Sequence, residues 1–259
     1  KRLAGFAGGA LRVVDLPSRA VITNTFGNGN GGTGLAWSPD GRMLAVTSSS
    51  DLYRRSASGS IHLYDAVTCR ELWTIEAATG SIWKPDFSPD SRRLATPHGD
   101  GTIILWDLAS RKPIRTFRRH GNIVACVQFS PDGRWLASAS MDETVRLWRV
   151  DSDEQVPLGS HARPADCVAF SPDGRWLASG SRDHTARVWD LAHRTNSPII
   201  LRGHTGRLWS IDFTPDSQTL ITGSLDGTVR LWNVGRLNSQ GSPMDNHTEL
   251  GTEFSPDEI

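Results

Sequence analysis

The chain carries no surplus of charge: 28 Lys and Arg residues face 28 Asp and Glu residues over 259 positions, and the formal net charge is zero. A nucleic-acid-binding domain ordinarily shows a basic excess, so no nucleic-acid partner is expected. No apolar run approaches the length that spans a bilayer, so no membrane partner is expected either. The opening stretch KRLAGFAGGA is too short and too rich in glycine for a signal peptide, and a cytoplasmic location follows as the expectation. A starting Met is absent as well, and the chain reads as a piece of a longer protein. Cysteine is scarce. Cys69, Cys126 and Cys167 make an odd count with no framework spacing, which argues against a disulfide scaffold. Cys126 and Cys167 each stand three residues before a recurring Phe, as small buried strand residues do, and no second ligand lies at a metal-binding spacing.

What the chain does have is repetition. A Ser/Thr-Pro-Asp turn begins at Ser38, Ser88, Ser130, Ser171, Thr214 and Ser255, at intervals of 50, 42, 41, 43 and 41 residues. An aromatic closes each of the first five units: Tyr64, Trp106, Trp148, Trp189 and Trp232. Four units keep 12 positions between a Leu (Leu94, Leu136, Leu177, Leu220) and that Trp. Pro sets φ at the second turn position, and Asp-Gly or Asp-Ser completes the reversal. Ser171–Gly174 therefore joins two antiparallel strands, and Ser181–His184 is a second reversal. Thr185–Asp190 is a third strand and Pro198–Leu201 a fourth. Val145 and Leu147 point to one face and Trp148 to the other, so each sheet needs a neighbour on both sides. Repetition about an axis supplies those neighbours.

The period, the Trp-Asp endings at Trp106-Asp107 and Trp189-Asp190 and the Gly203-His204 pair resemble those of WD-repeat β-propellers. Arg149 and Asn233 replace the closing Asp in two units, which that family tolerates. The resemblance implies an all-β fold, a single propeller domain over residues 1–259, built of four-stranded blades. Six blades are expected; an arc of a seven- or eight-bladed ring is the alternative. Arg2–Gly5 and Leu11–Asp15 read as the second and third strands of a unit, and Leu250–Phe254 as an inner strand. Joined, the two ends would make one blade. The polar stretch from Arg236 to Asn246 marks the last unit as degenerate.

The resemblance also implies a hydrogen-bonded tetrad in each blade, with His, Ser or Thr, Asp and Trp as members. Carried over residue by residue, unit 3 supplies His120, Ser138, Asp142 and Trp148. Unit 4 supplies His161, Ser179, Asp183 and Trp189, and unit 5 supplies His204, Thr222, Asp226 and Trp232. Unit 2 keeps Thr96, Asp100 and Trp106 but has Ala78 at the His position, so its tetrad is incomplete. A Ser-His-Asp catalytic set occurs once in an enzyme, whereas these recur in every unit. They read as structural, with the indole N–H among the buried donors that need an acceptor.

Other candidate chemistry is weak. Gly27–Gly32 fits a G-x-G-x-x-G spacing but lacks the following helix that a dinucleotide site requires. Asn246-His247-Thr248 is a sequon by pattern only. The turn acids Asp40, Asp90, Asp132, Asp173, Asp216 and Asp257 are explained by turn chemistry rather than by calcium. Asp86, Asp212 and Glu253 stand before the inner-strand Phe positions and are expected to line a solvated channel. No cofactor and no metal are expected.

A non-enzymatic, monomeric platform or sensor for other proteins or peptides is therefore expected. The resemblance to multi-domain signalling proteins of bacteria and fungi suggests an attached catalytic module. The alternative is a propeller enzyme with a metal-dependent site at the channel mouth. For a partner, the expected face combines the His loops with an eight-residue insertion in unit 1 that carries Tyr53, Arg54 and Arg55. Trp83, Arg207 and Trp209 stand at the inner-strand starts, and Met141, Arg182 and Leu225 precede the tight-turn Asp of their units. Large aromatic and Arg side chains are the usual hot-spot types.

Overall fold

The computed structural model describes residues 2–7, 10–15, 21–25, 32–49, 59–77, 80–193, 197–236 and 247–250. The chain is all-β, in six antiparallel sheets whose strands follow one another in sequence order. Two compact bodies divide it, Lys1–Val127 and Gln128–Ile259.

The first body opens with a three-stranded sheet, β1 (Arg2–Ala7), β2 (Ala10–Asp15) and β3 (Val21–Thr25). Two four-stranded sheets follow. One is β4 (Gly32–Trp37), β5 (Met43–Ser49), β6 (Gly59–Asp65) and β7 (Glu71–Ala77). The other is β8 (Asp86–Phe87), β9 (Arg93–Pro97), β10 (Thr102–Asp107) and β11 (Lys112–Arg118). The division between the bodies falls inside β12 (Val124–Phe129), which leads into β13 (Trp135–Ser140), β14 (Thr144–Arg149) and β15 (Gln155–Ser160). Next come β16 (Ala165–Phe170), β17 (Trp176–Ser181), β18 (Ala186–Asp190) and β19 (Ile199–Leu201). The last sheet holds β20 (Leu208–Phe213), β21 (Thr219–Ser224), β22 (Val229–Asn233) and β23 (His247–Leu250). These four-stranded sheets are the blades of a β-propeller fold, and the five complete ones are called blades 1 to 5 below.

The constant Leu-to-Trp spacing is a cross-strand pair. Leu94 lies opposite Trp106, Leu136 opposite Trp148, Leu177 opposite Trp189 and Leu220 opposite Trp232. Leu44 lies opposite Tyr64 in the same register, so the insertion of unit 1 leaves the pairing intact. All five Leu side chains are buried. Alternation then puts the remaining apolar residues on both faces, and neighbouring sheets pack through them within each body. Ala169, Ala178 and Val188 of blade 4 pack on Leu208, Phe213, Leu220 and Trp232 of blade 5. Ile61 and Leu63 of blade 1 pack on Ile82, Phe87, Leu94 and Trp106 around blade 2. Leu11 and Val13 of the first sheet pack on Leu44, Val46 and Tyr64. No disulfide joins Cys69, Cys126 and Cys167, and all three are buried.

The Ser/Thr-Pro-Asp turns are specified by their own side chains. In blade 4 the Ser171 hydroxyl donates to Asp173 Oδ1 (2.5 Å) and accepts the Trp176 amide (2.8 Å), while Asp173 Oδ1 also accepts the Arg175 amide (3.0 Å). Blades 1, 2, 3 and 5 repeat the hydroxyl-to-carboxylate bond at 2.5–2.6 Å. The residue after Asp adopts a left-handed conformation, which Gly41, Gly133 and Gly174 take without a Cβ penalty. Ser91 and Ser217 take it too, at φ of 57° and 61°.

The ends differ in part from the sequence reading. Leu250 pairs with Val229 as the end of the outer strand of blade 5, because β23 completes that sheet rather than starting an inner strand. Residues 251–259, and with them the expected joining of the two ends, lie outside the described residues, as do 237–246.

Candidate functional site

The polar clusters inside the blades come first, because they decide which residues are free for anything else. In blade 5 the His204 ring joins Asp226 Oδ2 (2.9 Å) through Nδ1 and Thr222 Oγ1 (2.8 Å) through Nε2. The Trp232 indole donates to the same hydroxyl at 2.8 Å, so all four residues form one chain. In blade 4 His161 joins Asp183 (3.0 Å) and Ser179 (2.7 Å) in the same way. Trp189 departs from the expectation. Its Nε1 is buried without an acceptor, and the edge of the indole lies against Gly159 of the neighbouring sheet. In blade 3 Trp148 donates to Ser138 at 2.8 Å, Asp142 accepts the Thr144 amide and hydroxyl, and His120 is buried.

Blade 2 holds a partner that sequence reasoning missed. His98, buried at the end of β9, places Nε2 2.9 Å from Thr96 Oγ1, which also accepts the Trp106 indole at 2.9 Å. His98 and Thr96 are two apart on one strand and share a face. A His two residues after the Ser/Thr position was the available signal.

Electrostatics follow from this packing. Burial pushes His161 and His204 below the ordinary imidazole value, against the pull of their Asp partners. Burial alone would raise Asp183, but bonds from Thr185, the Ala162 amide and His161 outweigh it and hold the carboxyl at about 2. Asp226 is likewise held far below the usual carboxylate range, with burial outweighed by Thr228, the Thr205 amide and His204. Both imidazoles are buried, and each is held through both ring nitrogens by its Asp and its Ser or Thr partner.

The candidate partner face is built differently. The innermost strands of blades 1, 4 and 5 each carry a register shift four residues before the closing aromatic of that strand. The extra, unpaired residues are Thr33, Asp166 and Trp209. A bulge of this kind re-aims one side chain out of the ladder. Each blade spends it differently. Thr33 bonds Thr47 at 2.9 Å. Asp166 forms a two-pronged ion pair with Arg182, Nε to Oδ2 at 2.9 Å and Nη2 to Oδ1 at 3.0 Å, with its own side chain only 4% exposed. Trp209 remains 49% exposed, with the Arg207 guanidinium 4.3 Å above its ring.

Blade 5 gathers Arg207, Trp209 and Leu225 in one place. Leu225 donates its amide to the Arg207 carbonyl (3.0 Å), and its side chain is 64% exposed. Gly206 makes this approach possible, since a Cβ there would lie 2.7 Å from the Asp226 amide nitrogen. Met141 is half-buried at the equivalent turn of blade 3.

Two expected binding residues are corrected. Trp83 is only 6% exposed, and its indole donates to Ser81 at 3.0 Å. Gly34 and Gly59 of blade 1 draw the chain of blade 2 inward at Lys84 and Ile82 on either side of Trp83, which belongs to the interior. Arg182 is committed to Asp166 and is not a spare cation. Asp166 was legible at the same offset as Trp209 but was passed over. Tyr53, Arg54 and Arg55 lie outside the described residues.

Elsewhere, a groove of about 610 Å³ opens among the Ser-Pro-Asp turns of blades 3 and 4, lined by Pro131, Asp132, Trp135, Phe170 and Arg175 among others, and none of the expected binding residues borders it. Among the described residues no group of three or more His, Cys, Asp or Glu side chains could hold a metal ion, and no helix is long and apolar enough to cross a membrane. A family profile described as the IFT122 first beta-propeller matches residues 33–258. No curated protein matches the chain.

Proposed function

Since the chain belongs to the IFT122 first beta-propeller family, we propose that it is a non-enzymatic platform for other proteins or peptides, of the WD-repeat type, serving as one module of a larger assembly. The observation that carries this reading is the pairing of exposed Trp209 and Leu225 on blade 5. Neither side chain is needed by the repeat, whose aromatic and Leu positions are already filled by Trp232 and Leu220. Exposed Trp beside Arg at the rim of rigid strands is the composition of a binding hot spot. The rigid sheets beneath supply preorganisation, which lowers the entropic cost of association.

The Ser179–His161–Asp183 contacts of blade 4 and the Thr222–His204–Asp226 contacts of blade 5 support the same reading, because their hydroxyls are fully buried and their imidazoles are already engaged on both nitrogens. Cross-linking tests the proposal. A photoreactive amino acid replacing Leu225 should capture a partner from native extract, and Trp209→Ala should abolish the capture while the melting temperature holds. Capture that survives Trp209→Ala would move the binding face elsewhere.

A further inference from the structure

We propose that the blade 5 cluster recognises a segment in which an Asp or Glu carboxylate lies next to an apolar side chain. This rests on the reading of that cluster as the partner-binding face. The argument is one of charge complementarity. Arg207, itself half-buried, has its guanidinium over the Trp209 ring; its Nε is buried with no hydrogen-bond partner among the described residues, which leaves the two Nη groups as the edge a partner can reach. The acids nearby in the chain are occupied. Asp226 uses Oδ2 for His204 and the Thr205 amide and Oδ1 for Thr228, and Asp212 accepts the Phe213 amide. In blade 4 the same bulge position is Asp166, and it neutralises the Arg at the tight turn within the blade. Blade 5 has Trp at the bulge and Leu at the turn, and Arg207 has no carboxylate partner among the described residues.

A guanidinium held on an aromatic face keeps its outer N–H edge for a planar acceptor, and a carboxylate matches that edge with two bonds. The exposed Trp209 edge and Leu225 give an apolar neighbour its contact. A partner cation would meet like charge, and a purely apolar segment would leave Arg207 unpaired as water is excluded.

A phage-displayed library of random peptides, panned on the full chain, tests this. Retained peptides should be enriched in Asp or Glu next to Leu, Phe or Trp. Resynthesis of a retained peptide with Asn or Gln at the acid should weaken binding about tenfold, as loss of one charge-assisted bond requires. Arg207→Gln should bind both forms alike and melt as the wild type does. The inference is overturned if the amide form binds the wild type equally, if Arg207→Gln keeps the acidic preference, or if no peptide is retained. A partner captured through Trp209 without any acidic preference defeats this inference alone. Capture indifferent to Trp209 defeats the binding face itself.

Discussion

The amide of Asp173 donates to the hydroxyl of Ser217 at 3.1 Å, tying the Ser-Pro-Asp turn of blade 4 to that of blade 5. The same bond joins Asp40 and Ser91 (3.2 Å) in the first body. Both serines hold a left-handed backbone that Gly occupies in the other turns. The hydroxyl is the compensation for that conformation. Ser217→Ala keeps the conformational cost and removes the bond, and should lower stability by about 1 kcal/mol. Ser217→Gly removes both and should lie between the alanine variant and the wild type. Urea unfolding of the three proteins gives the ranking; an alanine variant as stable as the wild type would refute the compensation.

Removing Asp183 takes away the partner of the buried His161 Nδ1 and of the Thr185 amide and hydroxyl in blade 4. Asp183→Ala should cost about 1–3 kcal/mol and leave the affinity of the folded fraction for any partner unchanged. Unaltered melting together with lost function would instead favour a catalytic role for the Ser179–His161–Asp183 set.

Acid should unfold the protein in two stages. His161 and His204 have folded values depressed below 6.5, so their contribution is complete above that pH and is lost as the pH falls, because the unfolded chain takes up protons first. Asp183, depressed from 3.8 to about 2, adds a second loss between those values. Melting temperature measured from pH 8 to pH 3 should be flat at first and then fall below about 6.5. A rise on acidification from neutrality would contradict the buried neutral imidazoles.

Arg182, expected on the partner face, pairs with buried Asp166 inside blade 4. Arg182→Ala leaves an uncompensated carboxylate and should cost about 3 kcal/mol. Combining it with Asp166→Ala should recover much of the loss. Additive losses in a double-mutant cycle would show that the pair does not couple.

Trp83 and Trp209 occupy the same offset in their units and should respond oppositely. Trp83→Ala opens a buried site and should destabilise by about 3–5 kcal/mol. Trp209→Ala, at a surface site, should stay within about 0.5 kcal/mol. Calorimetry on both variants decides it, and equal melting shifts would remove the distinction between interior and rim.

The repeat period, the strand count per unit, the turn positions and the constant spacing from Leu to Trp were all legible in the sequence. Each of these depends on local chemistry: a Pro-Asp reversal fixes register, and period-2 alternation fixes which side chains share a face. The His, Ser/Thr and Asp residues brought together in blades 4 and 5 were named by the resemblance to WD-repeat propellers, carried over at the spacing of the units. Tertiary structure decided the rest. Only packing shows that His98 joins Thr96 in blade 2, that the Trp189 indole has no acceptor among the described residues, and that Trp83 is interior where Trp209 is exposed. Identical offsets produce different fates because a bulge frees one side chain from the ladder. What that side chain then meets, a hydroxyl for Thr33, a guanidinium for Asp166 or solvent for Trp209, is set by the residues packed around it.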